Sequence, residues 1–171
     1  MFKTRVSVNL ISMPLLFAAL SLSACSKKAP EGLPPAPGDS MDYSNSSSGP
    51  IKGSQEDFLA NVAADRIFFE TDQSNVDRED QEILRSQAAW LLANPSARIR
   101  VEGHCDERGT REYNLALGER RANAAKNYLS TLGVELSRIS VVSYGKERPD
   151  ALGSDEQAWS KNRRAVTVTV R

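Results

Sequence analysis

From residue 54 onward, short stretches of period two alternate with longer stretches of period 3.6, and the two periods predict the elements. Ser54-Gln55-Glu56-Asp57 reads as a helix start leading into a short apolar stretch that ends at Val62. Arg66-Ile67-Phe68-Phe69 is a strand-like apolar run, and Glu70 to Asn75 is a polar turn. Asp77 can cap a helix in which Ile83, Leu84, Ala88, Leu91 and Leu92 recur at spacings of three and four. Asn94-Pro95 stops it, because proline bars the residue before it from helical geometry. Arg98 to Glu102 alternates as a strand with one buried face. A second long helix is expected from about Arg111 to Leu132, with Leu115, Ala122, Ala125, Leu129 and Leu132 as its stripe and Gly133 as its stop. Ile139 to Tyr144 is a third strand. The polar stretch Lys146 to Asn162 holds one helical turn around Glu156 to Trp159, and Ala165 to Val170 alternates as a closing strand.

The order strand, helix, strand, helix, strand, strand predicts a two-layer α/β sandwich with a mixed four-stranded sheet. Helical crossovers imply parallel pairing of the first strands, and right-handed crossovers put both helices on one face.

Upstream of residue 54 the pattern changes. Lys3 and Arg5 precede an apolar stretch, Leu10 to Leu22, that is broken by Pro14 and too short to span a bilayer. Residues 1–24 therefore read as an export signal. Leu22-Ser23-Ala24-Cys25 resembles a bacterial lipobox, which implies cleavage before Cys25 and acylation of that cysteine; the alternative is ordinary cleavage after Ala24. Ser26, rather than an aspartate, follows the cysteine, which by the bacterial sorting rule implies the outer membrane. Residues 25–53 are rich in Pro, Gly and Ser and lack apolar periodicity, so they read as a disordered tether. As a coil of about 28 residues, its ends would lie ~30 Å apart. The remainder, 54–171, is the folded domain.

Composition narrows the function classes. The 171 residues carry 22 basic and 22 acidic side chains, a formal net charge of zero, with 40% hydrophobic and 26% charged residues. That suits a globular domain and gives no basic stripe for nucleic acid, so none is expected as a partner. If Cys25 carries lipid, Cys105 has no partner for an internal disulfide and the domain is held by its core.

The candidate chemistry lies in Val101 to Asn123, where an apolar run ends in Gly-His, a charged Asp-Glu-Arg-Gly loop follows, and a helix begins. Asn114, Leu117 and Arg121 fall near one helical face, which by spacing is offset from the stripe through Leu115 and Ala122 and looks out over the turn holding Asp106. An arginine can grip a carboxylate through two parallel hydrogen bonds, an aspartate can take an ammonium, and the first N–H groups of a helix favour a second carboxylate. Together these suit a small zwitterion. The same residues could instead pair with one another, or leave Arg121 solvated. His104, Cys105 and Asp106 suggest hydrolase parts, but neighbours on a strand end point to opposite faces and cannot form a nucleophile–base pair. One histidine and no cysteine pair give no metal cluster, so no metal, cofactor or catalytic residue is expected. Trp90, Trp159 and the tyrosines read as core or rim.

Gly103-His104-Cys105-Asp106, then Tyr113-Asn114, then Leu117 to Ala122, resemble in order and spacing the motif of the OmpA-like peptidoglycan-binding domains. Asp-Glu-Arg-Gly-Thr (106–110), Gly-Glu-Arg-Arg-Ala-Asn-Ala (118–124), Ser-Tyr-Gly-Lys-Glu (143–147) and Ser-Lys-Asn-Arg-Arg-Ala-Val (160–166) are similar to its lipoprotein branch. The resemblance runs from about Ile67 to the end. It implies a non-enzymatic domain that holds the diaminopimelate of the peptidoglycan stem peptide, with Asp106 on the amino-acid end and Arg121 as the carboxylate clamp. Phe69-Glu70 would close one side, and Asn114 and Leu117 would line the other. Glu70 stands where the family has Asp, and Cys105 where Thr or Ala is frequent. The resemblance further implies TolB and the Tol complex as partners, a lipid-anchored outer-membrane site facing the periplasm, and a part in membrane integrity and constriction at division. Two rivals remain: an interaction module for TolB whose wall site is weak or absent, and a periplasmic wall hydrolase. A motor-stator module would need a transmembrane helix ahead of the domain, and none is read here.

Overall fold

The computed structural model describes residues 49–170. The expected signal, Cys25 and all but the end of the tether lie outside them. Among the described residues no helix is long and apolar enough to cross a membrane.

Among the described residues nine elements follow one another: α1 (Gln55–Asn61), β1 (Arg66–Phe68), α2 (Arg78–Ala93), β2 (Arg98–His104), α3 (Arg111–Thr131), a 3-10 turn (Leu136–Arg138), β3 (Ile139–Gly145), α4 (Glu156–Asn162) and β4 (Arg164–Val170). Each α-helix starts at a residue whose oxygen accepts an N–H two or three positions into the first turn. Ser54 accepts from Asp57, Asp77 from Asp80, Thr110 from Tyr113 and Asp155 from Ala158. α3 ends in a Schellman turn, with Val134 N–H on Leu129 O, Gly133 N–H on Ser130 O and Gly133 at φ +96°. At the end of α2 the Arg138 guanidinium caps the carbonyls of Leu91 and Asn94 and also holds that of Ala97.

The sheet is mixed and four-stranded, as the pattern predicts, in the order β1-β4-β2-β3. β2 and β3 are parallel, and β4 runs antiparallel to both β1 and β2. The expectation that the first two strands pair is thus corrected: the last strand inserts between them. Periodicity reports which face of a strand is buried and says nothing about its neighbours.

Ile99 and Val101 of β2 and Ala165 of β4 form the core with Phe58 of α1, Ile67 of β1, Leu84 and Leu91 of α2, and Ala122, Ala125 and Leu129 of α3. The α2 stripe departs from expectation at one end. Leu92 is 52% exposed, while Gln87 is buried and bridges Ala64 O and the Thr167 hydroxyl. Trp90 packs edge-on against Phe58 in the core and donates to Asp57. In α3 the buried positions include Asn114, Leu117, Gly118 and Arg121 as well as the expected Ala122, Ala125 and Leu129, whereas Leu115 is only half-buried. The 114–117–121 face is therefore continuous with the core and does not look outward. The cause is a glycine-on-glycine crossing. A Cβ on Gly103 of β2 would lie 1.8 Å from Gly118 O of α3, so the first half of α3 is drawn hard against the end of β2.

Candidate functional site

Three segments converge where α3 meets the sheet: the turn after β1, the loop after β2 and the first half of α3. Arg121 ties them together. It is fully buried, and it donates from Nε to Gln73 O at 2.8 Å, from Nη1 to His104 O at 2.9 Å and from Nη2 to Glu70 O at 3.1 Å. Its guanidinium also stacks 5.2 Å from the centre of the Phe69 ring. Burial lowers its pKa, and the nearby Asp106 carboxylate opposes that shift; an arginine stays charged in such surroundings. Three of its five N–H groups hold carbonyls, which leaves the rest for the Cys105 sulfur and the pocket it lines.

That pocket has a volume of about 230 Å³. Asp106, Asn114, Leu117 and Arg121 line it, with Thr71, Asp72, Cys105, Arg108, Gly109 and Tyr113. Four of the six expected ligand residues thus meet in one cavity. Asp106 and Arg121 do not pair with each other. Asp106 is instead flanked by Arg108, at 2.7 Å, and by the buried Arg163, at 3.6 Å. Burial on its own would push the Asp106 carboxyl up, but the Arg108 hydrogen bonds and the two positive charges outweigh it and hold the group below the usual carboxylate range. Asn114 braces the loop, donating to Arg108 O and Thr110 O. Tyr113 closes one rim by donating to Asp72.

Phe69 and Glu70 take other places. Phe69 is buried beneath Arg121, and Glu70 meets the site only through its carbonyl oxygen. Both line a second, larger pocket of about 430 Å³ that also holds Phe68, Asp80, Lys161 and Arg163. What position 70 gives to this cluster is a backbone carbonyl, which any residue there supplies.

Cys105 is buried, donates from Sγ to Asn114 O and has its pKa raised by burial, so it packs inward as a small apolar group. His104 lies buried beside the Tyr144 ring. Burial and the Arg164 charge push its pKa down to about 4, so it is neutral near pH 7. His104 is the last residue of β2, an inner strand of the sheet.

Sequence reasoning missed Arg108, Arg163 and the Thr71–Asp72 rim. Arg163 stood inside a quoted motif, with nothing to mark it as reaching Asp106. Arg108 follows Asp106 by two residues on a loop, where no periodicity assigns a face.

The chain matches the OmpA family over residues 68–163. It is 49% identical over 150 residues to a peptidoglycan-associated lipoprotein of Agrobacterium fabrum, covering 88% of this chain and 82% of that one. The chain belongs to the OmpA family. Among solved structures, the peptidoglycan-associated lipoprotein of Burkholderia pseudomallei superposes with a TM-score of 0.62 at 43% identity, covering 66% of this chain and 93% of that one. The C-terminal domain of Helicobacter pylori MotB, at 20% identity, a TM-score of 0.58 and coverage of 64% and 86%, shares the fold. The α/β sandwich is thus that of OmpA-like domains.

Proposed function

We propose that this chain is an outer-membrane lipoprotein that binds peptidoglycan without covalent attachment, through the diaminopimelate of the stem peptide. The observation that carries the reading is an acid and a base, Asp106 and Arg121, that line one small pocket without neutralising each other. Asp106 takes the ammonium. Arg121 turns its positive charge and remaining N–H groups towards a carboxylate, while Asn114 and Leu117 form the helix side and Phe69 and Glu70 hold Arg121 from behind. No bond is made or broken, so the role is mechanical. The names of the relatives support wall association. Acylation of Cys25, a tether over 25–53 and a folded domain over 54–171 would place the site within reach of the wall from the inner leaflet of the outer membrane. One contact need not be tight, because confined copies act together on one polymer. TolB and the Tol complex are the proposed protein partners, and membrane integrity and constriction at division the proposed setting.

Co-sedimentation with purified peptidoglycan sacculi tests this reading. The native protein should pellet with the wall, and Asp106→Ala, checked by circular dichroism to be folded at the assay temperature, should stay in the supernatant. A native protein that remains soluble sinks the wall-binding reading and leaves the protein-partner role.

A further inference from the structure

Two arginines serve Asp106, and they differ in freedom. Arg163 is fixed: its side chain is 5% exposed, and it donates to Phe69 O at 2.9 Å and to Glu156 at 2.6 Å. Its Nη1, buried and without a hydrogen-bond partner, lies 3.6 Å from Asp106. Arg108 is not fixed. Its side chain is 39% exposed, and its guanidinium covers both carboxylate oxygens, from Nη2 at 2.7 Å and from Nε at 3.1 Å. Its other contacts are a long bond to the Thr71 hydroxyl, at 3.3 Å, and the face of Trp159, 4.2 Å away. The acid that would receive a ligand ammonium is therefore already occupied by a group able to swing aside.

We propose that Arg108 is the specificity-determining residue of this pocket, yielding Asp106 only to a ligand that brings a carboxylate together with its ammonium. The proposal rests on the wall-binding reading above. An incoming ammonium replaces the Arg108 guanidinium on Asp106, and Arg163 stays in place to keep the carboxylate ionised. The displaced guanidinium then sits beside a new positive charge at the same wall, which is unfavourable unless an anion receives it. A planar fork of N–H donors matches a carboxylate with two parallel bonds, and Trp159 offers a ring face over which the guanidinium can pivot. The diaminopimelate side chain ends in an ammonium and a carboxylate on one carbon, so Asp106 takes the ammonium while Arg108 joins Arg121 on the carboxylate. A lysine side chain offers the ammonium alone and strands Arg108. Amidation of the diaminopimelate carboxyl has the same effect.

The test is calorimetric titration of the full purified chain with three synthetic stem peptides that differ only at the third residue: diaminopimelate, its side-chain amide, or lysine. The native protein should prefer the free diacid by at least about tenfold over the other two. Arg108→Ala should lose at least about threefold of that preference, Arg121 holding what remains, with the lysine peptide bound no more weakly than by the native protein. Arg108→Gln, which keeps a donor near Asp106 without the charge, should behave alike and covers any loosening of the loop by alanine. Retention of the native preference in both variants overturns the proposal. So does an equal loss of all three peptides, which would make Arg108 part of the frame. A native protein with no affinity for the diaminopimelate peptide refutes the wall-binding reading itself.

Discussion

Replacing Arg121 by methionine isolates the group that joins the site to the fold. Methionine fills much of the same volume and carries no charge, so the main loss is the set of three hydrogen bonds to Glu70 O, Gln73 O and His104 O. Hydrogen bonds to charged groups contribute about 1.5–3 kcal/mol each, and buried carbonyls left unpaired retain their desolvation cost. Against this stands the burial cost of the guanidinium itself, which the variant recovers. A net loss of about 3 kcal/mol follows, a large share of the stability of a domain this size. Urea unfolding followed by circular dichroism reads it as a lowered midpoint at an unchanged slope. Because the bonds tie the turn after β1 to the end of β2, the variant should also lose sacculus binding, as a consequence of a loosened frame as much as of a missing ligand contact. A loss below about 1 kcal/mol would refute this account of Arg121 as the residue that assembles the site.

Other predictions concern charge and packing. Asp80 is 5% exposed, and burial, with Asp77 and Glu79 nearby, raises its pKa to about 6 although it accepts the Phe68 N–H. Between pH ~4 and ~6 the folded state then holds the extra proton, so this residue lowers stability as pH rises, by up to about 3 kcal/mol above pH ~6. His104 runs the other way: its folded pKa of about 4 lies below the unfolded value, so its contribution is lost as pH falls from ~6.5 towards 4. Asp80→Asn should raise the urea midpoint at pH 8 and gain nothing at pH 4, exposing the acid loss due to His104; an equal gain at both pH values would contradict the assignment. The depressed Asp106 pKa contributes stability above the ordinary carboxylate range that is lost as pH falls through the folded value. Asp106→Asn should therefore show a shallower acid limb in a pH-resolved melting series, and an unaltered limb would argue against it. Gly103→Ala puts a Cβ 1.8 Å from Gly118 O, contact with backbone that cannot rotate away, and should cost about 3 kcal/mol or more or prevent folding. A native-like melting temperature would show that α3 can shift off β2 without penalty.

The sequence alone determined much of this protein, because the relevant physics is local. Caps at Ser54 and Asp77, the proline after Asn94 and the glycine after Leu132 set helix ends through interactions a few residues long. Period-two alternation set the strands, and the Gly-His-Cys-Asp to Arg121 spacing brought Asp106, Asn114, Leu117 and Arg121 under suspicion together. Only the tertiary structure decided what depends on distant partners. Strand order is one case, since β4 inserts between β1 and β2 without any mark in its own alternation. The burial of Arg121 is another: a helical wheel offsets it from the apolar stripe, but carbonyls 17, 48 and 51 positions away make a charged residue the centre of the core's edge. The arginine pair around Asp106 is the third, because one member arrives from the loop itself and the other from the junction between α4 and β4. Periodicity assigns a residue to a face; only the packed chain says which charges meet across it.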